Sequence, residues 1–311
     1  MLDASSFYNN NYRIHSFKLD GKMYLGSKEN KVCRFCGLTY PEVKFKDKAH
    51  AVPELLGNKN LFSYYECSTC NKDIFAKLEN ELGNYNSAYR TLTYVKGKRG
   101  VPTYKDNKIT IRAEGQTLKI EADLDSDQIV MNEEEKTLTV TVDRYSYLPI
   151  AVYKAYIKMA LTLMNENEIQ YFSKTIDWIM NVDHSADPWC TNLIAIVKTL
   201  PGMHVFPHPV VRILYRYDSS PEQLPYAILV ICSGNQIVQV LIPHSDKDEG
   251  FCRHLSEGRG VEIPPHPVFL TKGNREGSAS HQFVDWSSCE RVPNEKQQVV
   301  YSYRGFDDFS E

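Results

Sequence analysis

The chain has 311 residues, of which 42% are hydrophobic and 24% are charged, and these values are ordinary for a globular protein. No run of 18 apolar residues occurs and the first residues lack a signal-like pattern, so we expect neither a transmembrane helix nor a secretory signal. The net charge of −3 hides an asymmetry: residues 1–100 contain 16 Lys/Arg and 10 Asp/Glu, whereas residues 101–311 contain 20 and 29. The basic first part therefore predicts an anionic partner for that part alone.

The first thirty residues predict short strands, and the segment YRIHSFKLDGKMYLG predicts a hairpin that turns at Asp20 and Gly21. Two Cys-x-x-Cys pairs follow, 30 residues apart: Cys33 and Cys36, then Cys67 and Cys70. Four thiolates at this spacing predict a structural zinc site that is closed by protein ligands. We expect a cytoplasmic protein with reduced thiols, in which paired cysteines bind metal.

The other four cysteines, Cys190, Cys232, Cys252 and Cys289, are scattered along the chain. His244, Cys252 and His254 are the candidates for a second metal site, but their spacing matches no known site.

A helix is predicted from Cys70 to Gly83. Gly83 is a suitable C-cap, and one face of the helix carries residues at helical spacing: Asn71, Phe75, Leu78 and Leu82. The basic segment 96–108 predicts an exposed linker. From Lys108 onward, alternating apolar and polar residues predict antiparallel strands, and Pro149 predicts the start of an amphipathic helix. We therefore predict an α+β protein with a zinc-stapled module (residues 1–95), a linker (96–108) and an α+β domain with an antiparallel sheet (109–311).

The segment between and after the cysteine pairs resembles the HNH, or ββα-metal, endonuclease family, and its zinc-stapled branch of phage endonuclease VII type in particular. The resemblance rests on His50, Pro53, Gly57, Asn60 and Asn71 in addition to the four cysteines, and it covers residues 33 to about 82. It implies a ββα module that hydrolyses phosphodiester bonds with one divalent metal.

The resemblance also implies roles for individual residues. His50 would be the general base, Asn60 (rather than Asn58) would hold the backbone around the His50 strand, and Asn71 would offer an oxygen to Mg²⁺ or Mn²⁺. The family usually has an acid or a histidine directly before the base, where this chain has Ala49. The candidate replacements for this metal ligand are Glu79, which we favour, and Asp47, whereas Glu54 is expected to cap or solvate the following turn.

Basic residues flank the predicted site and would bind phosphates without reading sequence. They are Lys44, Lys46 and Lys48 ahead of His50, and Arg90, Lys96, Lys98 and Arg99 after the helix. The expected substrate is DNA, with RNA left open. By analogy with bacterial antiviral defence proteins, the second domain would bind a partner protein or an activating ligand. The alternative is a catalytically weak zinc-binding module that docks nucleic acid or a protein.

Overall fold

The protein, described here by a computed structural model for residues 3–19, 21–115, 117–123, 127–185, 189–202, 205–268 and 278–305, has a mixed α+β fold with antiparallel sheets. The strands are β1 Tyr12–Lys18, β2 Met23–Leu25, β3 Ala49–His50, β4 Leu61–Ser63, β5 Tyr104–Lys105, β6 Ile109–Glu114, β7 Thr117–Ala122, β8 Ile129–Asn132, β9 Thr137–Asp143, β10 Ile194–Thr199, β11 Phe206–Arg216, β12 Ala227–Gly234, β13 Gln236–Leu241, β14 Ser280–Asp285 and β15 Lys296–Ser302. The α-helices are α1 Ala4–Asn11, α2 Ala76–Tyr85, α3 Ser87–Leu92, α4 Pro149–Leu163, α5 Glu166–Ile169, α6 Ser173–Met180 and α7 Glu249–Ser256. The predicted α+β class is confirmed.

The largest sheet has the strand order β1-β11-β12-β13-β10-β14, with every neighbouring pair antiparallel. Its central strand β12 is buried at all positions, because α4 covers one face and the α1 region covers the other. Burial on both faces explains why its sequence is a continuous apolar run without alternation. Smaller three-stranded sheets have the orders β2-β4-β3, β5-β6-β7 and β15-β9-β8.

Helix α4 lies at the centre of the molecule. It begins at Pro149, as the sequence predicts, but all of its residues are buried and it is not amphipathic in its environment. The helix packs on α2 on one side and contacts the large sheet on another, so it has no solvent-facing stripe. Two lysines, Lys154 and Lys158, are consequently enclosed within the protein.

Two predictions about the first 108 residues, the hairpin and the linker, differ from the structure. First, β1 pairs with β11 in the large sheet, while β2 pairs in parallel with β4, so the predicted hairpin between β1 and β2 is wrong. Second, the segment 96–108 is not only a linker, since it contains β5, which pairs with β6.

One core runs through the cysteine-rich region, α4 and the large sheet. Arg34, inside the first cysteine pair, joins these parts directly. Its guanidinium donates hydrogen bonds to the carbonyls of Leu161 (2.8 Å), Thr162 (3.2 Å) and Met164 (2.7 Å), and it forms an ion pair with Glu166 at 2.6 Å. A cation at the carbonyl end of a helix satisfies the unpaired carbonyl groups and complements the helix dipole. The region around the cysteines is therefore docked on the larger part of the protein.

Candidate functional site

The four predicted zinc ligands converge on one point. Their sulfur atoms all lie within 4.8 Å of one another, with 3.8 Å between Cys33 and Cys70 and 3.9 Å between Cys36 and Cys67. A tetrahedral zinc ion with metal–sulfur distances of about 2.3 Å requires sulfur–sulfur separations of about 3.8 Å. The donor set therefore fits zinc, and the cluster can hold one ion with all four positions supplied by protein.

The backbone around the cysteines supports this arrangement. The amide of Cys67 points at the Cys33 sulfur (3.5 Å) and the amide of Cys70 points at the Cys67 sulfur (3.4 Å), which orients both thiols. Gly37 has a φ of +72°, which allows its amide to return to the Cys33 carbonyl at 2.8 Å and close the first turn.

The second metal site, at His244, Cys252 and His254, is not supported. Cys252 forms a disulfide with Cys190, with 5.3 Å between their Cα atoms. This pairing was missed because the two cysteines are far apart in sequence and show no motif. Within the described ranges, the four-cysteine cluster is the one group of three or more His, Cys, Asp or Glu side chains that converges closely enough for a metal.

The second predicted site lies on a β-hairpin followed by a helix. Strands β3 and β4 are antiparallel, with His50 opposite Phe62. The helix then starts with a π-helical stretch, Cys70–Phe75, before it continues as α2. Helix α2 continues to Tyr85, so the prediction that Gly83 is its C-cap is wrong.

The π-helical stretch changes which residues of the helix share a face. In a regular α-helix Asn71 and Glu79 would lie about 80° apart around the axis, and the one residue that a π-turn inserts reduces this to about 20°. The amide of Ala76 bonds to the carbonyl of Asn71, five residues earlier, which is the π pattern. Asn71 and Glu79 therefore point into the same cleft.

This cleft has a volume of about 270 Å³ and is lined by Lys48, Ala49, His50, Pro53, Glu54, Leu55, Asn71 and Glu79. It brings together the predicted base and two predicted metal ligands. It also contains Glu54, whose carboxylate lies 3.8 Å from Nε2 of His50. The 3₁₀ turn that begins at Glu54 has no side-chain cap, so the expected capping role of Glu54 is not seen.

His50 is half-buried, and its ring packs on Phe62 with 4.8 Å between ring centres. Burial is the main cause that lowers the pKa of His50 below its ordinary value of 6.5. The carboxylates of Glu54 and Glu79 act in the opposite direction, while the positive charges of Lys158 and Lys98 lower this pKa further. The imidazole of His50 is therefore mainly neutral at pH 7.

A buried ion pair behind the cleft was missed by the sequence analysis. The ammonium of Lys158 lies 2.8 Å from Glu66 and 3.6 Å from Glu79, and it donates to the His50 carbonyl at 3.4 Å. Burial acts to lower the pKa of Lys158, but the carboxylates of Glu66 and Glu79 outweigh it and raise this pKa. Lys158 is therefore charged and links helix α4 to both predicted site elements.

Asn58, and not Asn60, holds the chain between β3 and β4. The Asn58 side chain is fully buried, donates to the carbonyls of Val52 (2.6 Å) and Leu61 (2.9 Å), and accepts from the amides of Asn60 (3.0 Å) and Leu61 (2.9 Å). The side chain of Asn60 instead donates to the carbonyl of Leu19 at 3.2 Å. The prediction that Asn60 holds the His50 strand is wrong, because the turn directs Asn58 inward.

The two candidates for the ligand missing at Ala49 lie in different places. Glu79 lines the cleft. Asp47 does not line it and forms an ion pair with Lys72 at 3.3 Å. A hydrogen bond from Ser68 is the main cause that lowers the pKa of Asp47. The geometry thus favours Glu79 over Asp47, and it adds Glu54 as a third oxygen donor.

The predicted phosphate-binding residues are mostly at the surface. Lys44, Lys46 and Lys48 alternate with less exposed neighbours and are all exposed, as are Lys96, Lys98 and Arg99. Arg90 is different: it packs against Gly97, and burial lowers its pKa. Arg90 is therefore a poor candidate for contact with a phosphate.

A second cleft lies in the C-terminal part and has a volume of about 450 Å³. Its lining residues are Arg216, Asp218, Glu222, Asp246, Lys247, Glu249, Gly250 and Arg253. The Arg216 guanidinium already donates to the carbonyls of Glu222, Leu224 and Lys247. This cleft is therefore polar, but the Arg216 guanidinium already has hydrogen-bond partners within the protein.

No known protein family, curated protein or solved structure matches the chain. Among the described residues, none of the helices has the length and apolar character that crossing a membrane requires.

Proposed function

We propose that the protein is a metal-dependent endonuclease of HNH type that hydrolyses phosphodiester bonds of DNA. The observation that carries the proposal is the cleft that places His50, Asn71 and Glu79 together beside the four-cysteine cluster. In this cleft a neutral imidazole can act as a general base, and an amide and a carboxylate can offer oxygen ligands to a divalent metal, which are the roles that the proposed hydrolysis uses.

In this proposal His50 takes the proton from the attacking water, because burial keeps its imidazole neutral. The strand pairing with Phe62 and the Lys158 contact to the His50 carbonyl hold this residue in position. The exposed lysines Lys44, Lys46 and Lys48 approach the same cleft through Lys48 and would bind the substrate phosphates.

Oxygen donors in the cleft fit a hard divalent cation better than a soft one. Asn71 and Glu79 would hold Mg²⁺ or Mn²⁺, with Glu54 as the nearest further carboxylate. The bound ion would stabilise negative charge that develops on the phosphate during hydrolysis.

The alternative is a zinc-binding module with weak or no catalysis that docks nucleic acid or a partner protein. Two observations favour it: Ala49 offers no ligand, and Glu79 is already 3.6 Å from the ammonium of Lys158. An ion would have to compete with this contact.

The test is nicking of supercoiled plasmid by the zinc-loaded full chain with Mg²⁺, Mn²⁺ or no added divalent ion. We expect metal-dependent nicking by the wild type and by the control His281→Ala, which removes an exposed histidine on β14. His50→Ala should lose at least about 100-fold in rate, since a general base typically contributes 10² to 10⁴. Nicking that His50→Ala retains, or that needs no metal, would refute the proposal.

The ligand assignment has its own matched pair. Glu79→Gln should raise the metal concentration needed for half-maximal rate, because a carboxylate ligand is lost, whereas Asp47→Asn should leave it unchanged. The reverse result would assign the ion to Asp47. A folded wild type that binds DNA without nicking it would support the docking alternative.

The remaining parts of the proposal concern location and regulation. We propose a cytoplasmic location, a role in bacterial defence, and binding of a partner protein or ligand by the C-terminal part. The Cys190–Cys252 disulfide weighs against a cytoplasmic location, since disulfides are rare in reducing compartments. Alkylation of thiols in freshly lysed cells, followed by mass spectrometry, tests this location. In a cytoplasmic protein Cys190 and Cys252 should be reduced and therefore alkylated.

A further inference from the structure

The outward face of the small sheet β2-β4-β3 carries a row of aromatic rings next to the cleft. Strand register places Tyr24 beside Phe62 and Phe62 beside His50, so the three side chains lie in one line across three strands. The ring centres of Tyr24 and Phe62 are 5.1 Å apart, and those of Tyr24 and Tyr64 are 5.2 Å apart. We call Tyr24, Phe62 and Tyr64 the aromatic row.

Tyr24 is the exposed member of the aromatic row, Phe62 and Tyr64 are partly buried, and the margin of the row is basic. Tyr24 is 37% exposed. The ammonium of Lys22 lies 5.7 Å from the centre of the Tyr24 ring, and that of Lys31 lies 5.1 Å from the centre of the Tyr64 ring. The rings are nearly parallel, so Phe62 and Tyr64 each cover part of the Tyr24 ring, and the uncovered part of Tyr24 is where a base can stack. An exposed ring with cations beside it is a combination that binds single-stranded nucleic acid, because a base stacks on the ring while lysines contact phosphates.

We propose that the aromatic row binds the unpaired bases of a single nucleic-acid strand and leads this strand to the cleft at His50. The row ends at His50, whose ring packs on Phe62 and which lines the cleft together with the exposed Lys48, so a base on Tyr24 lies across the small sheet from the cleft. The bases of an intact duplex are stacked on one another and cannot lie on these rings.

This inference rests on the proposed function for the destination of the strand, and it narrows the substrate class to single strands or to sites with an unpaired strand. The binding itself is independent of cleavage. An apolar segment of a partner protein would also fit a row of rings, but the flanking Lys22 and Lys31 favour a polyanion.

The test is fluorescence anisotropy of the wild-type full chain, without added divalent ions, with a labelled 20-nucleotide strand as DNA, as RNA and as the same DNA in duplex form. We expect tighter binding to the single strands than to the duplex. Tyr24→Leu should weaken single-strand binding by about 5- to 150-fold, the range for loss of one stacked base. Tyr217→Leu is the control, because Tyr217 is 38% exposed but lies beyond the end of β11 in the large sheet.

Two further variants keep the test decisive if Tyr24→Leu folds poorly. Tyr24→Phe retains the ring and should bind single strands as the wild type does. Lys22→Ala with Lys31→Ala should reduce the slope of log affinity against log salt by about 0.7 for each phosphate that the two lysines neutralise in the wild type.

The outcomes separate this inference from the proposed function. Single-strand binding that depends on Tyr24 but leads to no cleavage supports the aromatic row and refutes the nuclease. Equal binding of single strand and duplex, or single-strand binding that Tyr24→Leu and the lysine variant leave unchanged, overturns the inference even if the protein nicks plasmid. Absence of any nucleic-acid binding also overturns it.

Discussion

The buried ion pair between Lys158 and Glu66 offers the sharpest test of how the cleft is held together. Lys158→Met removes the ammonium while it retains most of the side-chain volume. The Glu66 side chain is 0% exposed, and within the described part of the chain neither of its oxygens accepts a hydrogen bond that would remain after this change. The substitution therefore leaves a buried carboxylate without its cation.

The expected loss follows from this burial. Breaking a buried pair by removing one partner typically costs about 3–5 kcal/mol. Burial already raises the pKa of Glu66 while Lys158 acts to lower it, so without Lys158 this carboxyl must either take up a proton or remain an uncompensated charge. Replacing both partners, as in Lys158→Met with Glu66→Leu, should restore much of the stability, since the second change removes the stranded charge. The two substitutions should therefore show a large coupling energy.

The assay is equilibrium unfolding in guanidinium chloride of the zinc-loaded protein at pH 7. Lys154→Met is the matched control, because Lys154 is buried on the same helix but donates to the carbonyl of Asn181 at 2.9 Å. Burial lowers the pKa of Lys154 to about 8, so its positive charge is poorly stabilised. We expect Lys154→Met to leave the free energy of unfolding unchanged or to raise it.

The reasoning is refuted if Lys158→Met costs less than about 1 kcal/mol, or if the effects of Lys158→Met and Glu66→Leu simply add. A Lys154→Met variant that is destabilised as much as Lys158→Met would show that volume, and not charge pairing, determines the cost.

Three further predictions concern other parts of the chain. Asn58→Ala should lower the free energy of unfolding by about 2–4 kcal/mol, because it leaves buried backbone groups unpaired. Asn60→Ala should lower it by about 1 kcal/mol. Urea unfolding measures both, and equal losses would contradict the assignment of Asn58 as the inward side chain. Elemental analysis should find one zinc per chain, and Cys70→Ser should lose the metal and unfold in a calorimeter at a lower temperature, because the cluster belongs to the main core; full stability without zinc would argue against the site. Burial raises the pKa of Asp248 to about 7, so between about pH 4 and 7 the folded wild type holds a proton that the unfolded chain has lost. The stability of Asp248→Asn relative to the wild type should therefore rise by up to about 4 kcal/mol over this range. A difference in unfolding free energy that does not depend on pH would exclude this titration.

Several features of the fold could be predicted because they are local in sequence. The cysteine spacing indicated the four thiols that can hold a metal ion, since each Cys-x-x-Cys turn brings its own two sulfurs together. Pro149 marked the start of α4, because proline lacks an amide hydrogen and suits the first helical position. Alternation after Lys108 predicted β6 and β7 as strands.

The candidate site was predicted in part. The motif indicated His50 and Asn71, and the cleft contains both. Glu79 could only be suggested, since a regular helix would turn it away from Asn71, and no sequence rule predicts the π-helical stretch that aligns them. Asn58 and Asn60 are chemically identical, so only the path of the turn decides which one points inward.

The tertiary structure alone decided which distant segments meet. The alternating pattern of β1 indicates a strand but not its partner, and this strand pairs with β11 because the large sheet provides an edge for it. Lys158 looks like a surface residue in the sequence, yet it lies buried beside Glu66 because α4 is covered on all sides. Local patterns depend on neighbours along the chain, whereas burial and pairing depend on neighbours in space. The sequence by itself thus indicated the converging thiols, the start of α4 and the strands β6 and β7, whereas only the tertiary structure decided which distant residues meet at the cleft.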